Sequence, residues 1–163
     1  MFHRILVPID GSTTSNRGLE EAIGLAREQK VKICLLHVVD EMIVTGAVHG
    51  TAYMPSSYVN KFIQSLRTTG RKLLARAEAK VRSQGIEVEA MLLQTPGRRV
   101  ADLIIEQANK WRADIIVLGT HGRRGLSRLL MGSDAEMVVR ETTLPVLLVR
   151  SPLRPRRRRA RRG

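Results

Sequence analysis

Ala113-Asp114-Ile115-Ile116-Val117-Leu118-Gly119-Thr120-His121-Gly122 is the stretch that decides how this chain folds. The apolar run after Asp114 reads as a strand covered on both faces, and Asp134 to Thr142 reads as a helix. Gly119, Gly122, Gly132 and Ser133 therefore lie between a strand and a helix. Glycine lets main-chain N–H groups approach an anion with no Cβ in the way, and a helix N-terminus adds unpaired N–H groups and a favourable dipole. That arrangement suits phosphates. It is neither the G-x-G-x-x-G fingerprint nor a Walker lysine motif, so on spacing alone a phosphate cradle and a plain turn both stay open.

Strand and helix signals alternate on either side of this segment. His3 to Ile9 reads as a strand that closes at Pro8-Ile9-Asp10-Gly11-Ser12, after which Leu19, Ala22, Ile23 and Ala26 recur at helical spacing. Val31 to Val39 is a second, nearly continuous apolar strand. Asp40 to Ser57 has no period and carries Gly46, Gly50 and Pro55, which predicts a long loop able to cover a ligand. The spacing of Val59, Phe62, Ile63, Leu66, Leu73, Leu74, Ala77 and Val81 predicts one helix over 58–84, weakened in its middle by Gly70. Ile86 to Gln94 follows as a strand, and Thr95-Pro96-Gly97 opens a helix whose inner face carries Val100, Leu103, Ile104 and Ala108, with Trp111 as core at its end. Leu144 to Val149 gives the fifth strand, and no internal repeat is present.

Strands separated by helices imply a parallel sheet with helices on both faces, because right-handed crossovers put them there. Ligands of such sheets bind beyond the carboxyl ends of the strands, where the strand order reverses. Asp10 at one such end suits a ribose hydroxyl or a metal, and the main chain at Val38 suits an adenine edge. The glycine loop suits phosphates. A plain turn or N-cap aspartate is the competing reading of Asp10.

Composition narrows the classes. At 163 residues the chain is about one domain, and Cys34, its single cysteine, cannot form an intrachain disulfide. Cys34 lies among Ile33, Leu35 and Leu36 and reads as a buried strand residue, in keeping with a reducing cytoplasm. No apolar run reaches membrane-spanning length, and Met1-Phe2-His3-Arg4 runs straight into a strand instead of a signal peptide. Of the net charge of +13, seven units come from arginines in residues 154–163, leaving +6 for a domain over 1–153. The tail is expected to be disordered and to act either as a nonspecific nucleic-acid attachment or as a solubilising extension. Five aromatic residues in all are too few and scattered for a base-stacking platform.

The chain resembles the universal stress protein family over residues 1 to about 150. The resemblance rests on Ile5-Leu6-Val7-Pro8-Ile9-Asp10-Gly11-Ser12, Leu36-His37-Val38-Val39-Asp40, the segment Ala113 to Gly119, and Pro145-Val146-Leu147-Leu148-Val149. It rests equally on Gly119-x-x-Gly122, nine residues, then Gly132-Ser133, the pattern of the family's ATP-binding branch. The resemblance implies an α/β, Rossmann-like, five-stranded and mainly parallel sheet in the order 3-2-1-4-5. It implies adenine near Val38, ribose near Asp10 and Gly119, and phosphates on Gly122, Gly132 and Ser133. Pro8, Ile9, His121 and Asp134 complete the set of cofactor-binding candidates, His121 as a residue of the glycine loop within reach of phosphates. It further implies a homodimer through the last strand. One departure stands out: where the family's nucleotide binders place a small apolar residue and then a hydroxyl, this chain has Asp134 and Ala135. Asp134 would repel phosphate unless Mg²⁺, held by Asp134 or Asp10, or one of Arg123, Arg124 and Arg128 intervened.

Binding is easier to read here than chemistry. None of His3, His37, His49 and His121 has a base and nucleophile visible beside it in the sequence. The expectation is a module that binds ATP, with ADP or AMP as alternatives, and serves stress response or signalling through conformational change or a partner. A slow Mg-dependent ATPase and a nucleic-acid-associated stress protein using the basic tail are the competing functions.

Overall fold

Hydrophobic residues on adjacent positions of each central strand go to opposite faces of one sheet, and that alternation organises the molecule. The computed structural model describes residues 2–27, 30–41, 56–95, 97–120 and 131–150. Its elements are β1 (Arg4–Pro8), α1 (Thr13–Arg27), β2 (Lys32–Val39), α2 (Ser56–Arg82), β3 (Glu87–Gln94), α3 (Val100–Lys110), β4 (Ile115–Gly119), α4 (Ser133–Glu141) and β5 (Val146–Val149). The strands form one sheet in the order β3-β2-β1-β4-β5 with parallel pairing throughout, as the strand–helix alternation implies.

Ile5, Val7, Ile33, Leu35, Ile115 and Val117 face α1 and α2, where Leu19, Ala22, Ile23, Leu74, Ala77 and Val81 cover them. Leu6, Cys34, Leu36, Ile116 and Leu118 face α3 and α4, meeting Ala101, Ile104, Ala108, Ala135 and Val138. Each large aliphatic side chain removed from water in this way contributes about 1.5–3 kcal/mol. The two layers of helix thus exclude water from both faces of β1, β2 and β4, so a ligand that touches these strands must approach at a strand end.

Local chemistry shifts several boundaries. α3 begins at Val100, because Gly97 takes a left-handed φ of 70° and turns the chain before the helix starts. β5 begins at Val146: Pro145 has no N–H for a ladder, although its carbonyl still accepts from the Ile116 N–H at 3.0 Å. Gly70 does not interrupt α2. It is buried where the helix crosses His37 and Leu92, so it serves close packing where sequence suggested weakness.

Charged groups fasten the amino-terminal edge of the sheet. The Lys32 ammonium bridges Glu87 at 2.8 Å and Glu89 at 2.6 Å, and this pairing holds the Glu89 carboxyl below its ordinary range. Trp111 donates its indole N–H to Glu89 at 3.0 Å, and the Arg4 guanidinium stacks 4.2 Å above the indole ring. Asp114 accepts the main-chain N–H groups of His3 and Arg4 at 2.7 and 2.8 Å. These contacts tie this end of the sheet, and Asp10, Val38 and Gly119 stand at the opposite, carboxyl-terminal end.

Candidate functional site

β1 leaves the sheet at Ile9, whose N–H donates to the Leu36 carbonyl at 2.8 Å. Gly11 then turns the chain with φ 82°, a conformation that L side chains resist. Asp10 Oδ1 accepts the Ser12 N–H at 2.9 Å, and Ser12 Oγ accepts the Ser15 N–H at 3.1 Å as the cap of α1. Asp10 is therefore a turn aspartate, and the same bond fixes its half-buried carboxylate at the sheet edge. Pro8 and Ile9 are buried. The Ile9 carbonyl lies 2.7 Å from His37 Nδ1, which acts as donor there, so the backbone leading to Asp10 is held on both sides.

Val38 lies beyond the point where β1 departs. In a parallel ladder alternate residues turn their main-chain groups to the same neighbour, and Lys32 and Leu36 turn theirs to β1. The Val38 N–H and carbonyl accordingly face the flank that β1 vacates after Ile9, toward the Asp10 turn. Val39, one residue on, turns the other way and accepts from Thr95 at 3.2 Å.

Gly119 ends β4 against the start of α1. A Cβ on it would stand 2.7 Å from the Thr14 carbonyl carbon, 2.8 Å from the Ser15 nitrogen and 2.9 Å from Thr14 Oγ1. The glycine is required by packing of backbone on backbone. Next, Thr120 donates its N–H to the Val149 carbonyl and accepts the Gly132 N–H on its own carbonyl, both at 2.9 Å. The chain thus leaves the sheet at Thr120 and returns to the same point at Gly132. Gly132 is the N-cap of α4, with φ −64° and no side-chain cap, and Ser133 and Asp134 are exposed in the first turn.

Asp10, Val38, Gly119, Gly132, Ser133 and Asp134 thus belong to the carboxyl-terminal end of the sheet or the helix that starts there. The order reversal falls between β1 and β4, beside Asp10 and Gly119. His121, Gly122, Arg123, Arg124 and Arg128 lie outside the described residues, as do residues 42–55 and the tail 154–163. Ala135 is buried against the α3 face of the sheet, so the position where a hydroxyl was looked for is a core position here. Sequence reasoning missed the support given by Thr14, Ser15, His37 and Thr120. The hydroxyl run Ser12-Thr13-Thr14-Ser15 at a helix start is a capping signal and was there to be read. His37 and Thr120 act through contacts distant in sequence and left no such mark.

The pattern of the universal stress protein family matches residues 1–150. This chain belongs to that family of stress-response proteins. It is 32% identical over 151 residues to universal stress protein YxiE of Bacillus subtilis, covering 92% of this chain and 100% of that protein. The solved structure of MJ0577 from Methanocaldococcus jannaschii superposes with a TM-score of 0.79 at 24% identity, covering 94% of this chain and 99% of that one. A universal stress protein family member from Arabidopsis thaliana, solved with AMP bound, gives a TM-score of 0.65 at 22% identity and covers 92% of each chain. At these identities the two solved structures establish the shared α/β fold. Among the described residues no helix is long and apolar enough to cross a membrane.

Proposed function

We propose that this protein binds an adenine nucleotide at the carboxyl-terminal end of its sheet and acts as a stress-response or signalling module in the cytoplasm. ATP is the working ligand of this reading, with ADP and AMP as its shorter forms, and the output passes through conformational change or a partner. The observation that carries it is the convergence of the Asp10 turn, the main-chain flank at Val38, and the Thr120–Gly132 closure at the reversal of strand order. The related Arabidopsis protein with bound AMP supports the choice of an adenine nucleotide.

In this reading the Val38 main chain meets the adenine edge, and Asp10 accepts from a ribose hydroxyl beside Pro8, Ile9 and Gly119. His121, Gly122, Gly132 and Ser133 take the phosphates at the start of α4. Among the described residues no three His, Cys, Asp or Glu side chains gather to hold a metal. These residues fit Mg²⁺ carried mainly by nucleotide oxygens and water, with Asp10 or Asp134 as a single carboxylate partner. Bound there, Mg²⁺ supplies charge neutralisation between Asp134 and the phosphates.

The functional domain is residues 1–153, and two copies pair through β5. That strand ends the sheet with Leu147 exposed, and an apolar edge of this kind is normally covered.

Titration calorimetry with ATP and Mg²⁺ tests the reading. Gly122→Val and Gly132→Val should abolish binding by filling the phosphate space. At Gly132 the φ of −64° is open to any residue, so steric loss at the ligand, and about 1 kcal/mol from a poorer N-cap, are the expected effects. Ser133→Ala should cost about 0.5–1.5 kcal/mol, or up to about 3 if its acceptor is charged. Absence of saturable binding by folded wild type at millimolar nucleotide would overturn the proposal.

A further inference from the structure

α2 carries Lys61, Arg67, Arg71, Lys72, Arg76, Lys80 and Arg82 against a single acidic residue, Glu78. Two of these cations are used locally: Lys80 pairs with Glu20 at 2.8 Å and Arg82 with Glu78 at 2.7 Å. Arg67 turns inward and donates to Gln94 at 2.6 Å. Lys61, Arg71, Lys72 and Arg76 are exposed and make no ion pair among the described residues. The same helix holds the two most exposed aromatic rings described, Tyr58 at 61% and Phe62 at 47%.

Helical geometry sorts these residues onto one stripe. At 3.6 residues per turn, Tyr58, Lys61, Phe62, Lys72 and Arg76 fall within an arc of about 100° and span about 27 Å along the axis. No carboxylate shares that arc, and the Lys61 ammonium lies 6.0 Å from the Tyr58 ring centre. Val59, Ile63 and Leu66 fall on the opposite side, in line with Gly70, Leu74, Ala77 and Val81, which meet the sheet. Five aromatics are few for a whole chain, yet helix spacing sets two of them side by side among cations.

We infer that this outer stripe of α2 docks single-stranded nucleic acid, with Lys61, Lys72 and Arg76 on phosphates and Tyr58 and Phe62 stacking bases. Separate planar rings set among cations match the way sequence-tolerant single-strand binders work. Insertion into a bilayer surface calls for a continuous apolar face, and the continuous apolar face of α2 is the one turned to the sheet. The surface is independent of the nucleotide site and of whatever the arginine tail contributes.

Anisotropy of labelled oligo-U RNA and oligo-dT, titrated with the full chain across a range of salt, tests the inference. Lys72→Gln with Arg76→Gln should weaken binding at low salt by about tenfold or more and flatten the log–log salt slope by about 1.4, two phosphate contacts at about 0.7 each. Tyr58→Ala with Phe62→Ala should weaken binding at least about fivefold with the slope unchanged, since stacking releases no counterions. All four positions are exposed, so the fold should survive, and unchanged ATP titration would confirm that the other site is intact. Binding by both double variants equal to wild type would overturn the inference and leave the tail as the only attachment. Retention on anionic vesicles without any oligonucleotide binding would overturn it in favour of a lipid surface.

Discussion

Gly70 on α2 sits so near His37 on β2 that a Cβ added to the glycine would come within 2.6 Å of the imidazole Cδ2 and 3.1 Å of Nε2. The imidazole cannot swing aside freely, because its Nδ1 is held 2.7 Å from the Ile9 carbonyl. Helix, strand and the turn that carries Asp10 are thereby joined through one ring.

Gly70→Ala should destabilise the fold by about 1–3 kcal/mol through overpacking, against the gain of up to about 1 kcal/mol that alanine brings to a helix interior. In a His37→Ala background the same change should cost much less, so a urea-denaturation double-mutant cycle should be strongly non-additive. Additive effects, or a more stable Gly70→Ala variant, would show that the contact is not tight.

Gly119 and Gly18 make a contrasting pair. A Cβ on Gly119 meets main-chain atoms of Thr14 and Ser15 at 2.7 and 2.8 Å, whereas on Gly18 it would find its nearest neighbour at 3.7 Å. Gly119→Ala should therefore lower stability by about 1–3 kcal/mol, while Gly18→Ala should be neutral or stabilising by up to about 1 kcal/mol. Thermal midpoints of the two variants decide the point, and equal midpoints would contradict it.

Cys34 gives a pH signature. Burial pushes its thiol up to about 12, above the value of an unfolded cysteine. Between the unfolded value and about 12 the unfolded chain loses this proton while the folded one keeps it, so stability falls as pH rises through that window and is intact below it. Wild type should lose more stability than Cys34→Ala on going from neutral to strongly alkaline buffer, and the native thiol should resist alkylation at neutral pH. Parallel pH curves for the two proteins would remove cysteine from the account.

Leu147→Arg addresses pairing of copies. β5 lies at the end of the sheet and Leu147 is 36% exposed, so the substitution puts a charge on the strand that a second β5 would meet. Wild type should sediment as a dimer at about tens of micromolar and the variant as a folded monomer. A wild-type monomer at that concentration would refute the interface.

Much of the fold was legible because it is written in short-range patterns. Ile5, Leu6 and Val7 announce a strand with two buried faces, and Leu19, Ala22, Ile23 and Ala26 announce a helix with one. The turns of the candidate site were legible where strand ends and helix starts carry their own signal, as in Asp10-Gly11-Ser12 and Gly132-Ser133. Gly70 and Gly119 answer a packing demand that the sequence does not display, because the backbone or ring that crowds each of them is brought near by the fold from far along the chain. Asp10 was read with two roles, and its turn hydrogen bond is local chemistry that a ribose contact would have to share. The element starts at Val100 and Val146 depended on the conformation of Gly97 and the missing N–H of Pro145, which periodicity does not register.

The backbone contact of Gly119 with Thr14 and Ser15 also limits what a ligand at the proposed nucleotide site could move. At Gly119 no side chain separates the end of β4 from the start of α1, and the Thr120 bridges to Val149 and Gly132 extend that backbone floor to β5 and α4. Moving Gly119 away from Thr14 and Ser15 would open main-chain packing at the end of β4. If the proposed nucleotide site passes a signal on, the described floor of β1, β4 and the start of α1 is the part expected to stay still while it does so.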